Sequence, residues 1–272
     1  MDRTLGILEL LAHHGEGLEL AAVADRLNIP RSGVHRLLTD LAAAGYVRQV
    51  REHGEYMLTT KLVSLGLVFL SKSGIVDVAQ PLLNSLAEIS GELVRLSVVD
   101  GDRLTWVARA QGARAGLRYD PDMGSDAKLS CSSSGWAWLS TFSDEEATFR
   151  VARQRIGKPA EFGPRAPSTM AEVLGAVRQV RNLGYAITEE TYTAGLNALS
   201  APVRQAQQPA LGVLTIAGPT VRLTRERMEE LAPQLRSFAE QLAAASGASP
   251  FFNQARREPG GDTGKRKPIY AP

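Results

Sequence analysis

Helical spacing of apolar residues dominates the N-terminal part of the chain. Ile7, Leu8 and Leu11 share one face of a predicted helix over Thr4 to Ala12, which Gly15-Glu16-Gly17 ends. Leu20, Val23, Ala24 and Leu27 then stand at i, i+3, i+4 and i+7, and Val34, Leu37, Leu38 and Leu41 repeat that spacing. Asn28-Ile29-Pro30 separates the two helices, because Pro30 has no N–H to donate and drives Ile29 out of the α region. Gly45 is a natural residue to close the second. Period-two segments follow at Tyr46–Val50 and Tyr56–Leu58, flanking Arg51-Glu52-His53-Gly54-Glu55. Three helices and a β-hairpin predict a winged helix-turn-helix over residues 1–60.

Thr59 or Thr60 can cap a linker helix at 61–75, whose apolar core runs from Leu62 to Leu70. A helix apolar nearly all round needs covering. Either the rest of the chain covers it, or the same helix of a second copy does so in a two-fold dimer.

From 76 to 248 helical and strand patterns alternate. Pro81 is placed as the first residue of a helix ending at Ile89. Val94, Leu96 and Val98 alternate along a strand, and Asp100-Gly101 turns it into Leu104–Ala108. Irregular chain from Gln111 to Lys128, including Tyr119, Asp120 and Asp122, leads into the serine-rich LSCSSSGWAWLSTF and its helix. Ser143-Asp-Glu-Glu146 and Thr169-Met-Ala-Glu172 read as capping boxes for two more helices. Strands near Tyr185–Glu189, Leu199–Arg204 and Leu211–Ala217 precede a last helix that starts after Thr224 and reaches Ala245. The order ββ-ααα-βββ-α predicts an antiparallel-centred α/β domain rather than a doubly wound nucleotide fold. The polar segment 249–272 reads as a flexible tail, with a DNA-clamping arm as the alternative.

Composition narrows the class. The chain has 272 residues, 44% hydrophobic and 22% charged, with a formal charge of +2, so its global charge neither requires nor excludes nucleic acid. Locally the balance differs, with five arginines against one acid, Asp40, from Arg26 to Arg51. One cysteine, Cys131, precludes an internal disulfide framework and fits a reducing cytoplasm. The N-terminal stretch lacks a signal-peptide core, and the most apolar run, Leu62–Leu70, is too short to cross a bilayer, so no membrane role is expected. Adjacent His13 and His14 point to different helix faces, which disfavours a shared metal. No metal or cofactor is expected.

The outward face of the second helix of the pair carries Arg31, Ser32, His35, Arg36 and Thr39, at i, i+1, i+4, i+5 and i+8. Such a row of donors and acceptors can enter a DNA major groove, where arginine reads guanine and Ser or His bonds a base edge or phosphate. Arg48, Arg51 and His53 on the wing can reach the phosphate backbone. The alternative is a small helical domain with a solvated charged face.

These segments resemble the IclR-type bacterial transcriptional regulators. The resemblance runs from about Arg3 to Ser246 and rests on RTLGILELLA, PRSGVHRLLTDLAAAGYV, EYMLTTKLVSLG, PLLNSLAEISGE, RNLGYAITEE, LSAPVR and LGVLTIAGPTVRLT, in that order. It implies a winged helix-turn-helix domain, a linker helix and a GAF-like α/β effector-binding domain, in dimers that assemble to tetramers on promoter DNA. Gly33 stands where the family commonly has Ser or Thr, which removes one side-chain contact to DNA.

The resemblance also implies an effector pocket from Leu129, Cys131, Ser132, Ser133 and Ser134, with Thr188, Glu190, Leu196, Ala198, Thr215 and Ala217. Thr188, Ala198 and Ala217 replace an acid, a cysteine and a serine found in members that bind small oxo-acids, which predicts a roomier, more apolar pocket. A small organic acid, aromatic or medium-sized, suits it. Arg118 is the candidate counter-ion, and Trp106, Trp136 and Trp138 are candidate walls or plain core.

An enzyme is the competing class, with Cys131 or Ser133 of SCSSSGW as nucleophile. Cys131-Ser-Ser-Ser-Gly135 lacks the first glycine of G-x-S-x-G, and no histidine follows His53 to serve as base. A DNA-binding protein with an unresponsive sensor is a third reading. Effector, operator and sign of regulation are not legible.

Overall fold

The computed structural model describes residues 3–51, 54–119, 121, 124–157, 161–206 and 208–246. His53, Asp120, Asp122 and the segment 249–272 lie outside them. The chain divides into two compact units at Lys72/Ser73.

In the first unit, α1 (Arg3–Ala12), α2 (Leu20–Leu27) and α3 (Arg31–Ala43) precede a hairpin of β1 (Val47–Gln49) and β2 (Tyr56–Leu58). Ile7, Leu11, Val23, Val34, Leu38 and Leu41 form its core, the residues that helical spacing marks as inward. Asn28 ends α2 at φ 51°, a left-handed position its short polar side chain tolerates. Gly45, at φ 77°, ends α3 in a Schellman arrangement. Its N–H donates to the Ala42 carbonyl and that of Tyr46 to Leu41, each at 2.9 Å. Leu18 and Tyr56 exchange both backbone bonds, at 2.9 and 2.8 Å, tying the chain before α2 to the wing.

Helix α4 (Lys61–Ser73) runs three residues beyond the apolar core read from sequence. Along it Val63, Leu65, Leu67 and Val68 are all about half or more exposed among the described residues.

The second unit is built on one antiparallel sheet in the order β4-β3-β7-β6-β5. Its strands are β3 (Leu93–Asp100), β4 (Arg103–Gln111), β5 (Ala186–Glu189), β6 (Leu196–Val203) and β7 (Gly212–Pro219). One face packs on α5 (Ile75–Ser90) and α9 (Arg225–Ala245), through Leu83, Leu86, Leu96, Ile216, Leu231 and Leu235. The other packs on α6 (Ser133–Leu139), α7 (Asp144–Gln154) and α8 (Met170–Leu183), through Leu104, Trp138, Val173 and Val177.

Two local expectations are corrected. Helix α5 begins at Ile75, not Pro81, so the proline lies inside it. Pro81 costs the helix one N–H bond, and packing of Ala79 and Leu83 against the sheet outweighs that propensity. Strand β6 begins at Leu196, three residues before the apolar alternation, because Asn197 pairs with Glu189 and Gly218 on either side. The caps at Ser143 and Thr169 form, accepting from Glu146 and Glu172 N–H. Glu172 reaches back to the backbone of Thr169 as well as to the Ser168 N–H, whereas Glu146 pairs with Arg150.

Candidate functional site

In the first unit one face of α3 is left to solvent. Val34, Leu38 and Leu41 are buried, whereas Arg31, Ser32, His35, Arg36 and Thr39 are exposed together. The Thr39 hydroxyl donates to the His35 carbonyl at 2.9 Å, so its proton is spent and its lone pairs remain. Arg48 is exposed on β1, and Arg51, in the hairpin, makes a loose 3.6 Å pair with Glu55. His14 is turned inward to the Leu10 carbonyl and Arg26. No cluster that could hold a metal occurs among the described residues.

The second unit holds a cavity of about 30 Å³ between the α6 end and the sheet. It brings together Ser132, Ser133, Ser134, Thr188, Leu196, Ala198, Thr215 and Ala217 from the expected set. Alternation explains the sheet residues: in β7, Leu214 and Ile216 face α5 and α9, so Thr215 and Ala217 face α6. Ser132 caps α6, accepting from Gly135 N–H at 3.0 Å and donating to the Lys128 carbonyl at 2.7 Å. Four hydroxyls form a chain: Ser200 donates to Ser133 at 2.7 Å, Ser200 and Thr215 are 2.8 Å apart, and Thr215 and Ser134 2.9 Å. With the Ser200 proton on Ser133, Thr215 donates to Ser200 and Ser134 to Thr215. The Ser133 proton is therefore not engaged in the chain.

Four residues expected at the pocket stand elsewhere. Leu129 is in the apolar core, its N–H held by Gln154 Oε1 at 2.7 Å. Cys131 is fully buried behind the cavity, its carbonyl accepting from Thr191 Oγ1 at 2.5 Å. Burial pushes its thiol pKa up to about 11. Glu190 closes its own turn by accepting from Gly195 N–H at 2.8 Å. Arg118 is exposed and does not line the cavity, because the irregular chain before Tyr119 turns it to solvent. Trp136 anchors the serine loop through the Ser130 carbonyl at 3.0 Å, and Trp138 packs on Phe142, so neither is a wall.

The expectation of a roomy pocket is also overturned, although most of its lining surface is apolar. Trp106, Tyr119 and Tyr192 fill the space, and a buried cation stands among them: Arg95 of β3, 4% exposed. Its guanidinium carbon lies 3.9 Å from the Trp106 ring centroid and 5.7 Å from that of Tyr119. Tyr192 meets Trp106 edge to face at 6.3 Å. Desolvation lowers the Arg95 pKa, partly offset by Tyr119, and burial raises the pKa of Tyr119 and Tyr192. Sequence reasoning passed over Arg95 because Val94, Leu96 and Val98 make it read as the solvent side of a half-buried strand. The signal that could have found it is the three-helix run between the strand pairs, enough to cover a second sheet face.

Comparison with known proteins covers most of the chain. Residues 68–244 match the family described as "Bacterial transcriptional regulator IclR C-terminal", and residues 1–51 match the IclR helix-turn-helix domain. The acetate operon repressor of Salmonella typhimurium is 27% identical over 250 residues, covering 92% of this chain and 90% of the repressor. A transcriptional regulator structure from Rhodococcus sp. RHA1 superposes with a TM-score of 0.76 at 25% identity, over 90% of this chain and 97% of that one. An IclR homologue from Microbacterium hydrocarbonoxydans, solved with 4-hydroxybenzoate, shares the fold with a TM-score of 0.74 at 18% identity, over 91% and 98%. The chain belongs to the IclR family of bacterial transcriptional regulators, with its helix-turn-helix DNA-binding domain at the N-terminus and its α/β domain after it.

Proposed function

We propose that this regulator binds promoter DNA as a homodimer that assembles to a tetramer, and that a small organic acid in the second unit changes its operator affinity. The observation that carries the DNA reading is the exposed row Arg31, Ser32, His35, Arg36 and Thr39 over a buried Val34–Leu38–Leu41 face. That row enters the major groove, with Arg36 reading a base. Arg48 and Arg51, with His53, lie on the phosphate backbone. Apolar residues along α4 that are exposed among the described residues support pairing with a second copy. The cavity supports an effector, and the Microbacterium homologue's complex with 4-hydroxybenzoate favours an acid. Its influence on the DNA-binding unit is a coupling free energy between two sites. No transmembrane role is proposed: no single described helix is long and apolar enough to cross a membrane, and a cytoplasmic setting suits a DNA-binding protein.

A gel-shift titration on DNA beside the protein's own gene, with and without aliphatic and aromatic acids, tests this. Specific binding that one acid alters supports it. Binding that is sequence-indifferent and purely salt-sensitive overturns operator recognition. Specific binding unmoved by every acid overturns the effector part.

A further inference from the structure

Among the described residues Arg95 is a charge without a counter-charge. None of the residues lining the cavity is an aspartate or glutamate. Its partners across the sheet are Thr215 on one side and Arg109, a second cation, on the other. The Tyr119 side chain bonds it, yet its Nε and Nη1 have no partner among the described residues, and neither does the neighbouring Trp106 Nε1. A guanidinium cannot shed its proton at ordinary pH, so burial leaves it charged and under-solvated. Buried polar atoms are ordinarily paired, and two adjoining side chains with three orphaned donors mark a place where acceptors are missing.

From this we infer that Arg95 is the anchor for the carboxylate of a small monoanionic acid, with Tyr119 holding the guanidinium until that acid displaces it. The inference rests on the effector reading above and names what selects the effector. Carboxylate oxygens are the acceptors that unspent N–H groups of Arg95 and Trp106 need. A single anionic group fits best, because a second would meet only neutral groups: the hydroxyls of Ser133, Ser134 and Thr188. A cavity of about 30 Å³ is near the share of one water, so an acid enters only as Tyr119 and Tyr192 turn away. Binding is thereby tied to a rearrangement of the segments carrying those two tyrosines, which gives the acid different affinities for two states.

The test uses the full chain and tryptophan fluorescence, with a Trp106→Phe variant to tie the signal to this cavity. Acetate, pyruvate, benzoate and 4-hydroxybenzoate are each titrated beside their neutral amides. At least one acid is expected to bind and its amide to fail. Arg95→Gln is expected to weaken that acid by about 10- to 100-fold, the loss of a charge-assisted bond. Tyr119→Phe, which removes the competing phenol, is expected to tighten it by about 3- to 10-fold. Thermal melting and DNA binding of each variant report its folding. Equal binding of acid and amide, or of acid to Arg95→Gln, overturns the role of Arg95 while leaving an effector site. The acid–amide comparison on unaltered protein decides this even where Arg95→Gln does not fold. Binding of no acid at all overturns the effector reading itself.

Discussion

Glu92 and Arg222 clasp two corners of the second unit. Nε of Arg222 donates to Oε1 of Glu92 at 2.6 Å and Nη2 to Oε2 at 2.8 Å. The pair joins the corner between α5 and β3 to the corner between β7 and α9. Its two ends are not equivalent: the Glu92 side chain is 6% exposed and that of Arg222 35%. Removing the arginine strands a buried carboxylate, whereas neutralising the glutamate leaves a cation that water can still reach. Arg222→Ala is expected to cost about 2–3 kcal/mol, below the range for a fully buried pair because Arg222 is partly solvated. Glu92→Gln is expected to cost about 1 kcal/mol. Urea unfolding measures both, and equal losses would mean that burial does not set the asymmetry.

Arg36→Ala is expected to weaken binding to the cognate operator by about 1–3 kcal/mol and relax preference at one base pair. Arg48→Ala should weaken all sequences alike and reduce the salt slope by about 1, as loss of a phosphate contact does. Competition binding at several salt concentrations separates them. Unchanged operator affinity for Arg36→Ala would remove it from the reading surface.

Gly135 permits the serine loop to lie against α6. A Cβ there would stand 2.6 Å from Leu129 Cα and 2.8 Å from its carbonyl oxygen, both backbone atoms that have nowhere to move. Gly135→Ala is expected to shift Ser132–Ser134 and lose the acid response, at a stability cost of about 1–3 kcal/mol typical of overpacking. Operator binding should survive. An intact acid response would show that the loop accommodates the methyl without moving the hydroxyls.

Cys131 should resist alkylation in the native protein. With its pKa pushed up to about 11 by burial, the group is a thiol rather than a thiolate at pH 8. Iodoacetamide is expected to label it only after unfolding, read by mass spectrometry with and without urea. Rapid native labelling would show that the loop around it opens.

The exposed face of α4 predicts self-association. Leu67 and Val68 are 61% and 60% exposed, and a charge at either position should be harmless to a monomer but not to an apolar interface. Leu67→Asp is expected to shift sedimentation velocity from dimer toward monomer and to weaken operator binding with it. An unchanged oligomer would place the interface elsewhere.

Sequence alone determined the elements whose causes are local. The Asn28–Pro30 break, the Gly45 stop, the caps at Ser143 and Thr169, and the order ββ-ααα-βββ-α all follow from groups within a few residues of one another. The outward row of α3 followed too, because helical spacing separates its two faces without reference to anything else. Tertiary structure decided the sheet order β4-β3-β7-β6-β5, which joins β3 to a strand more than a hundred residues away in sequence. It also decided which face of β4 carries Trp106. A register shift at Leu96/Ser97 leaves Val107 unpaired, so Trp106 and Ala108 fall on opposite faces despite standing two apart. Arg95 is the case in which the difference mattered most. Period-two alternation says which residues share a face of a strand, but not whether that face meets water, since the helices that cover it arrive from distant sequence. Burial among Trp106, Tyr119 and Tyr192 turned what reads as a solvated arginine into a charge with no counter-charge among the described residues.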